Sequence, residues 1–130
     1  QAPRLVSCGC DNSVKVWKLE GEVWTQDFPP LQTVHSDWVR DVAWRPDDVS
    51  IIASGGLDRL VIIWSQDMEG QPWRPVSRLE MPCAVEGLSW TMTGGILGVA
   101  CDDGETRLYR RTADGNYAEA GSVAETGFVA

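Results

Sequence analysis

The sequence predicts an all-β fold made of repeated four-stranded antiparallel sheets, and three observations support this. Short apolar segments alternate with turns rich in Gly, Pro and Asp, which is typical of successive β-strands. Seven of the 130 residues are Trp against two Phe and two Tyr, which suggests a repeated packing position. Several markers also recur at a common period of about 46 residues. No segment has a helical period long enough to compete.

The clearest marker of the repeat is an acidic residue six positions before an aromatic residue. It occurs as Asp11 before Trp17, Asp58 before Trp64 and Asp103 before Tyr109. The aromatic residues are therefore 47 and 45 positions apart. A second marker, residues 41–44 matched with 87–90, repeats after 46 positions. A third is an acid-Gly turn ahead of an aromatic residue, at 20–21, 69–70 and 114–115.

One period contains four predicted strands, which are clearest in the middle repeat. They cover residues 39–44, 51–54, 60–64 and 73–79, with turns at 45–48 and 55–58. Residues 60–64 are apolar on both faces, as expected of a strand between two neighbouring sheets. Residues 73–79 are more polar and contain Pro75, which predicts an exposed edge strand. Four-stranded units repeated around an axis form a β-propeller.

The period divides the chain into an incomplete first blade, a complete blade, a last blade and a tail. These are predicted at 1–30, 31–79, 80–123 and 124–130. Residues 5–11 are expected to enter the first blade at its second strand. Propellers usually contain at least four blades, so these two to three blades are expected to be the C-terminal part of a larger propeller.

Composition and motifs argue against several classes of function. The net charge of −8 disfavours nucleic-acid binding. No apolar run is long enough for a membrane-spanning helix, and the four cysteines are expected to be reduced thiols. Cys8 and Cys10 lack a second Cys/His pair for zinc, and the acidic residues at 102–105 are expected to form a turn and not a calcium site. No cofactor or metal is expected.

The middle repeat carries His35, Ser54, Asp58 and Trp64, and in this arrangement it resembles the WD-repeat family. The resemblance implies a buried hydrogen-bond chain, from the Trp N–H to the Ser hydroxyl, then to imidazole, then to carboxylate. The first repeat matches in part, with Ser7, Asp11 and Trp17. The last repeat departs, with Met81 at the His position, Ala100 near the Ser position and Tyr109 for Trp. Its polar chain is expected to be missing.

The same three residue types could instead form a catalytic triad, with Ser54 as nucleophile, His35 as base and Asp58 as orienting group. Ser54 lies within an apolar strand, however, and neither a nucleophile elbow nor an oxyanion-hole motif accompanies it. A structural tetrad is the favoured interpretation, and no enzymatic activity is expected.

Longer stretches are similar to one branch of the WD-repeat family. They are HSDWVRDVAWRP at 35–46, GCDNSVKVWK at 9–18 and LSWT at 88–91. This branch is the propeller subunit shared by the outer cage of the COPII vesicle coat and the Y-shaped scaffold of the nuclear pore. The resemblance implies a structural scaffold with a six-bladed open propeller, into which a partner inserts a blade by β-augmentation.

That resemblance also implies partners and location. The partners would be α-solenoid coat proteins and nucleoporins in a hetero-oligomer, with neither nucleic-acid binding nor direct membrane insertion. The protein would be cytoplasmic and peripheral on COPII vesicles and the endoplasmic reticulum, and at nuclear pores in the nuclear envelope. The last blade would flank the inserted one, so contacts are expected along residues 96–117. The candidate partner-facing residues are Trp38, Leu97, Val99, Leu108 and Tyr109.

A generic WD-repeat adaptor that binds peptides is the alternative, for example in a ubiquitin ligase or a nutrient-signalling complex. Ligase substrate receptors often carry Trp-Asp-x-Arg after the third strand. Here Lys18 follows Trp17 and Ser65 follows Trp64, which disfavours a ligase adaptor.

Overall fold

The computed structural model describes residues 3–27, 31 and 35–124, with the backbone alone at Ala124, and the predicted tail beyond it lies outside these ranges. The described residues form eleven strands in three antiparallel sheets. The sheets confirm the predicted all-β fold of a partial propeller. Within the described ranges, no helix has the length and apolarity needed to cross a membrane.

Each sheet follows the order of the chain as a meander. The first sheet contains β1 (Arg4–Cys8), β2 (Val14–Glu20) and β3 (Val23–Gln26). The second contains β4 (Val39–Arg45), β5 (Asp48–Gly56), β6 (Leu60–Ser65) and β7 (Arg74–Glu80). The third contains β8 (Val85–Trp90), β9 (Ile96–Cys101), β10 (Glu105–Arg111) and β11 (Tyr117–Ala124).

The second sheet differs from the predicted strands at two points. Gly55 and Gly56, expected in a turn, belong to β5, because the backbone of Trp38 packs directly over Gly56. Trp73, expected in an exposed edge strand, precedes β7 and is only 5% exposed. Its ring packs edge-on against Trp44, with 5.5 Å between ring centroids. In both places a contact from a distant part of the chain overrides the local pattern.

The core lies between the sheets, in two apolar layers on either side of the second sheet. Side chains alternate along β6, so Leu60, Ile62 and Trp64 pack toward the first sheet while Val61 and Ile63 pack toward the third. Complete burial of such side chains contributes about 1.5–3 kcal/mol each. The second sheet is therefore covered on both faces, as the apolar sequence of its third strand predicts.

Two arginines link neighbouring sheets near the turn between β4 and β5. The Arg4 guanidinium donates to the Val49 carbonyl oxygen at 3.0 Å and lies 4.8 Å from the centroid of the Trp44 ring. Arg45 is 7% exposed and donates to the Tyr117 hydroxyl at 3.2 Å. These contacts link the first sheet to the second and the second to the third.

Replacement of Gly56 with Ala should destabilise the fold. The added Cβ would lie 2.0 Å from the Trp38 carbonyl oxygen, so the backbone must shift at a cost of about 1–3 kcal/mol. The free energy of unfolding of the full-length protein that carries this chain, from guanidinium denaturation, measures the cost. Gly9→Ala is the matched control, because its Cβ would meet only the Asp11 carboxylate at 3.7 Å. Equal stability of the two variants would contradict the close contact.

Candidate functional site

Four side chains of the second sheet form one continuous hydrogen-bond chain. Trp64 Nε1 donates to Ser54 Oγ at 2.8 Å, and the Ser54 hydroxyl lies 2.7 Å from His35 Nε2. His35 Nδ1 lies 2.9 Å from Asp58 Oδ2. Each group has a partner when Ser54 donates to Nε2 and the imidazole carries its proton on Nδ1. The chain therefore fixes the loop at His35 to β5 and β6.

This geometry is unsuited to catalysis by Ser54. The residue is fully buried, and its hydroxyl oxygen already accepts the Trp64 N–H. The Asp58 carboxylate also accepts backbone N–H groups of Ser36 and Leu60, at 3.1 and 3.2 Å. Among the described residues the Ser54 hydroxyl has no exposed surface, and the Asp58 carboxylate holds the loop. The arrangement is a structural lock.

The first sheet contains part of the same chain. Trp17 Nε1 donates to Ser7 Oγ at 3.0 Å. Asp11 does not join them. Its carboxylate accepts the Ser13 hydroxyl at 2.7 Å and lies 3.3 Å from Lys15 Nζ, and the Ser13 hydroxyl holds the pKa of Asp11 below its usual value. His35, the one histidine of these 130 residues, belongs to the chain of the second sheet.

The third sheet replaces the polar chain with apolar contacts. The Tyr109 hydroxyl donates to Met81 Sδ at 3.4 Å in a buried setting, and burial raises the pKa of Tyr109. Ser54 lies four positions before Asp58, and Val99 lies four positions before Asp103, so Val99 is the residue that corresponds to Ser54. Ala100, which the sequence pattern placed near this position, is the next residue. Val99 is fully buried. Tyr109, Met81 and Val99 together occupy the tetrad positions without leaving a polar group unpaired.

An ion pair takes over the role of the imidazole at the last turn. Arg107 Nη2 lies 2.7 Å from Asp103 Oδ2, and the Glu105 backbone N–H donates to Asp103 Oδ1 at 3.1 Å. The Arg107 guanidinium holds the pKa of Asp103 at about 2. All three turn aspartates thus accept the N–H of the residue two positions on, and each has a different cationic or imidazole partner.

The junction between the second and third sheets is locked by two polar contacts on their inner strands. Asp41 Oδ2 accepts the Leu88 backbone N–H at 2.7 Å, and Trp90 Nε1 donates to the Ala43 carbonyl oxygen at 3.2 Å. Asp41 pairs with Gly55 in the sheet, so its side chain points toward the third sheet. The sequence pattern did not predict this junction, although the repeat of 41–44 at 87–90 marks both strands.

The third sheet has a face on which no core cluster of the described residues lies, and we call it the outer face. Its residues alternate with those that pack on the second sheet. They are Gly87 and Ser89 on β8, Gly98 and Ala100 on β9, and Thr106 and Leu108 on β10. These six are small or uncharged, and Ile96 and Arg110 lie on the same face at the other end of β9 and β10. Part of this face, together with Asp41 of the second sheet, lines a groove of about 320 Å³. Such a face can accept another sheet.

Three of the residues predicted to face a partner lie on the opposite face, which corrects that prediction. Leu97 and Val99 are fully buried against the second sheet, and Tyr109 is 8% exposed in the same cluster. The reason is the two-residue alternation of a strand, which the repeat markers alone do not resolve. Leu108, partly exposed, does lie on the outer face.

Trp38, the remaining predicted residue, has an exposed ring on a fixed backbone. Its side chain is 52% exposed. Its carbonyl oxygen accepts the Leu57 N–H at 2.9 Å, and its own N–H donates to Asp37 Oδ1 at 2.8 Å. It lies beside the His35 loop and away from the outer face, so the structure does not bring the five predicted residues together.

Comparison with known proteins agrees with the repeat pattern. The family model "WD domain, G-beta repeat" matches residues 2–18 and 26–65. The chain is 41% identical over 124 residues to "Protein transport protein SEC13 homolog B" of Arabidopsis thaliana, covering 92% of the chain and 41% of that protein. It is 35% identical over 127 residues to "Protein transport protein SEC13" of Saccharomyces cerevisiae, covering 95% and 43%. The chain thus spans about two fifths of the length of these relatives.

Replacement of Ser54 with Ala should destabilise the fold by about 1–3 kcal/mol, because the Trp64 N–H and the His35 Nε2 atom then lose their buried partner. Unfolding by guanidinium of the full-length protein measures the loss. Ser122→Ala, on an exposed position of β11, is the control and should change the stability by less than about 0.5 kcal/mol. A Ser54→Ala protein as stable as the control would refute the lock.

Replacement of Arg107 with Met should raise the pKa of Asp103 from about 2 toward its ordinary value of 3.8. Because the pKa is lowered in the folded state, the stabilising contribution of Asp103 is complete above about pH 4 and is lost as pH falls toward 2. NMR titration of the carboxyl carbon measures the pKa. Arg110→Met is the control and should leave it unchanged, since Arg110 points to the outer face. An unchanged pKa in Arg107→Met would disprove the assigned partner.

Proposed function

Because the chain belongs to the WD-repeat family, we propose that it is part of a non-enzymatic propeller subunit of a protein-transport coat. In this proposal the propeller is open, and an α-solenoid partner completes it by adding a blade against the third sheet. The same subunit would serve the outer cage of the COPII coat and the outer ring of the nuclear pore.

The observation that carries the proposal is the outer face of the third sheet. Sheets of a propeller bury both faces, as the second sheet does here. The third sheet buries only one face among the described residues, and its other face carries small uncharged residues at 87, 89, 98 and 100. A sheet of another polypeptide can pack on the part of this face at Gly87, Gly98 and Ala100 without burying a charged side chain of β8 or β9.

Similarity along most of the chain supports the assignment to transport. Relatives from a plant and a yeast carry the name "Protein transport protein", and they match 92% and 95% of this chain. The match includes the segments at 9–18 and 35–46 that resemble the coat and pore subunits. A location on COPII vesicles, on the endoplasmic reticulum and at nuclear pores would follow from these partners.

The complete burial of Ser54 supports a structural role. The histidine, serine and aspartate of the second sheet hold one another and the loop, with Ser54 fully buried. Asp41 and Trp90 use their polar groups to join neighbouring sheets. The polar side chains at these sites thus hold the loop and the sheets in place. Such rigidity suits a subunit that stiffens a curved cage.

A peptide-binding adaptor is the second candidate, and Trp38 favours it. A half-exposed tryptophan on a fixed backbone resembles the aromatic anchors that dominate many protein interfaces. In that case the partner would bind at the loops beside His35 and not at the outer face.

Association with a solenoid coat partner distinguishes these functions. The full-length protein that carries this chain should bind the coat solenoid with its blade-forming segment, and deletion of that segment should abolish co-purification. Trp38→Ala should leave binding within about twofold of wild type. Binding that survives deletion of the segment would contradict blade addition, and loss of binding in Trp38→Ala alone would favour the adaptor.

A further inference from the structure

We propose that a groove at Gly87, Gly98 and Ala100 selects the added blade by accepting one apolar side chain of leucine size or larger. The inference rests on the proposed function, since it specifies what the partner presents to the outer face. It also goes beyond that function, because it names the residues that determine which strand can dock.

The junction between the second and third sheets provides the template. There Val85 of the third sheet packs on Gly55 so closely that a Cβ on Gly55 would lie 2.8 Å from Val85 Cγ1. Gly55 lies three positions before the turn residue Asp58, and Ala100 lies three positions before Asp103. Ala100 is therefore the position over which the next sheet places its corresponding aliphatic side chain.

The outer face differs from the template at the inner strand. In the second sheet, the Asp41 carboxylate accepts an N–H from the neighbouring inner strand at 2.7 Å. The repeat places Gly87 at the matching position of the third sheet, and Gly87 has no side chain to accept such a bond. The next sheet therefore cannot be held by the polar lock that joins the second and third sheets. Apolar packing must therefore supply the binding free energy that the carboxylate hydrogen bond supplies at the other junction.

Because Gly87 and Gly98 have no side chains, the groove has space for a large side chain of the partner. A Cβ on Gly87 would have its nearest neighbours 3.8 and 3.9 Å away, at Asp41 Oδ2 and Ala100 Cβ. A Cβ on Gly98 would be 3.6 Å or more from any other residue's heavy atoms. Gly98 corresponds to Ala53 in the buried junction. A Cβ is thus accommodated at Gly87 and Gly98, whereas at Gly55 it would lie 2.8 Å from Val85 Cγ1, and the groove of about 320 Å³ has space for a side chain larger than valine.

A strand of a partner chain fits this groove better than a further repeat of the same kind. The second and third sheets meet through a carboxylate and an indole N–H on their inner strands. The outer face offers no carboxylate at the first of these positions, so it marks a junction of a different type.

The test fills the groove with a side chain of the protein itself. Ala100→Leu is introduced into the full-length protein that carries this chain, and its affinity for the purified blade-forming segment of the coat solenoid is measured by calorimetry. We expect a loss of at least about tenfold, because the new side chain occupies the space meant for the partner. Ala113→Leu, on the exposed hairpin between β10 and β11, is the matched control and should bind like wild type.

A second measurement identifies the partner's side chain. Each large apolar residue of the segment is replaced by Ala in turn. One replacement should weaken binding to the wild-type protein by about tenfold or more but have little further effect on binding to Ala100→Leu. If Ala100→Leu does not fold, Gly98→Ala replaces it, since that Cβ fits without a clash. A several-fold loss is expected there.

The outcomes separate the two proposals. If wild-type protein does not bind the segment, blade addition is wrong and the groove has no partner to select. If wild type binds and Ala100→Leu binds equally well, only the groove is disproved. If Ala100→Leu lowers the melting temperature of the partner-free protein and the control does not, a further repeat of the same protein fills the groove, and the inference is overturned.

Discussion

The structure depends on one constraint, which is that a sheet with two apolar faces must have both of them covered. The second sheet meets it by packing Trp64 and its neighbours on the first sheet and Ile63 and its neighbours on the third. Burial at these two layers supplies the favourable free energy that holds the three sheets together. Among the described residues the first and third sheets each meet the constraint on one face only, and the open face of the third sheet is the basis of the proposed partner site.

Polar contacts determine how the sheets and loops are arranged within that stack. The Trp64, Ser54, His35 and Asp58 chain fixes one loop, because each buried polar group satisfies the next. In the third sheet the corresponding polar groups are paired in another way. The Tyr109 hydroxyl donates to the Met81 sulfur, and an ion pair between Arg107 and Asp103 holds the turn. Asp103 keeps the place of the turn aspartate, and Arg107 pairs with it where the second sheet uses His35.

Much of the fold could be predicted from the sequence, because the turn aspartates, the tryptophans and the inner strands recur at one period. The direction of individual side chains could not. Leu97, Val99 and Tyr109 face the second sheet, and a shift of one residue in a strand exchanges the two faces. Gly55 and Gly56 were expected in a turn, but packing against Val85 and Trp38 draws them into β5. These contacts join distant parts of the chain, which local patterns do not record.

The central claim is that the outer face of the third sheet is covered by a partner. Photocrosslinking from benzophenone side chains at single positions tests it most directly, in the full-length protein mixed with the coat solenoid. Position 106 lies on the outer face, whereas position 119 is exposed on the opposite face, beside Tyr109. The account predicts crosslinks to the solenoid from 106 and none from 119. Crosslinks from 119 without crosslinks from 106 would contradict it.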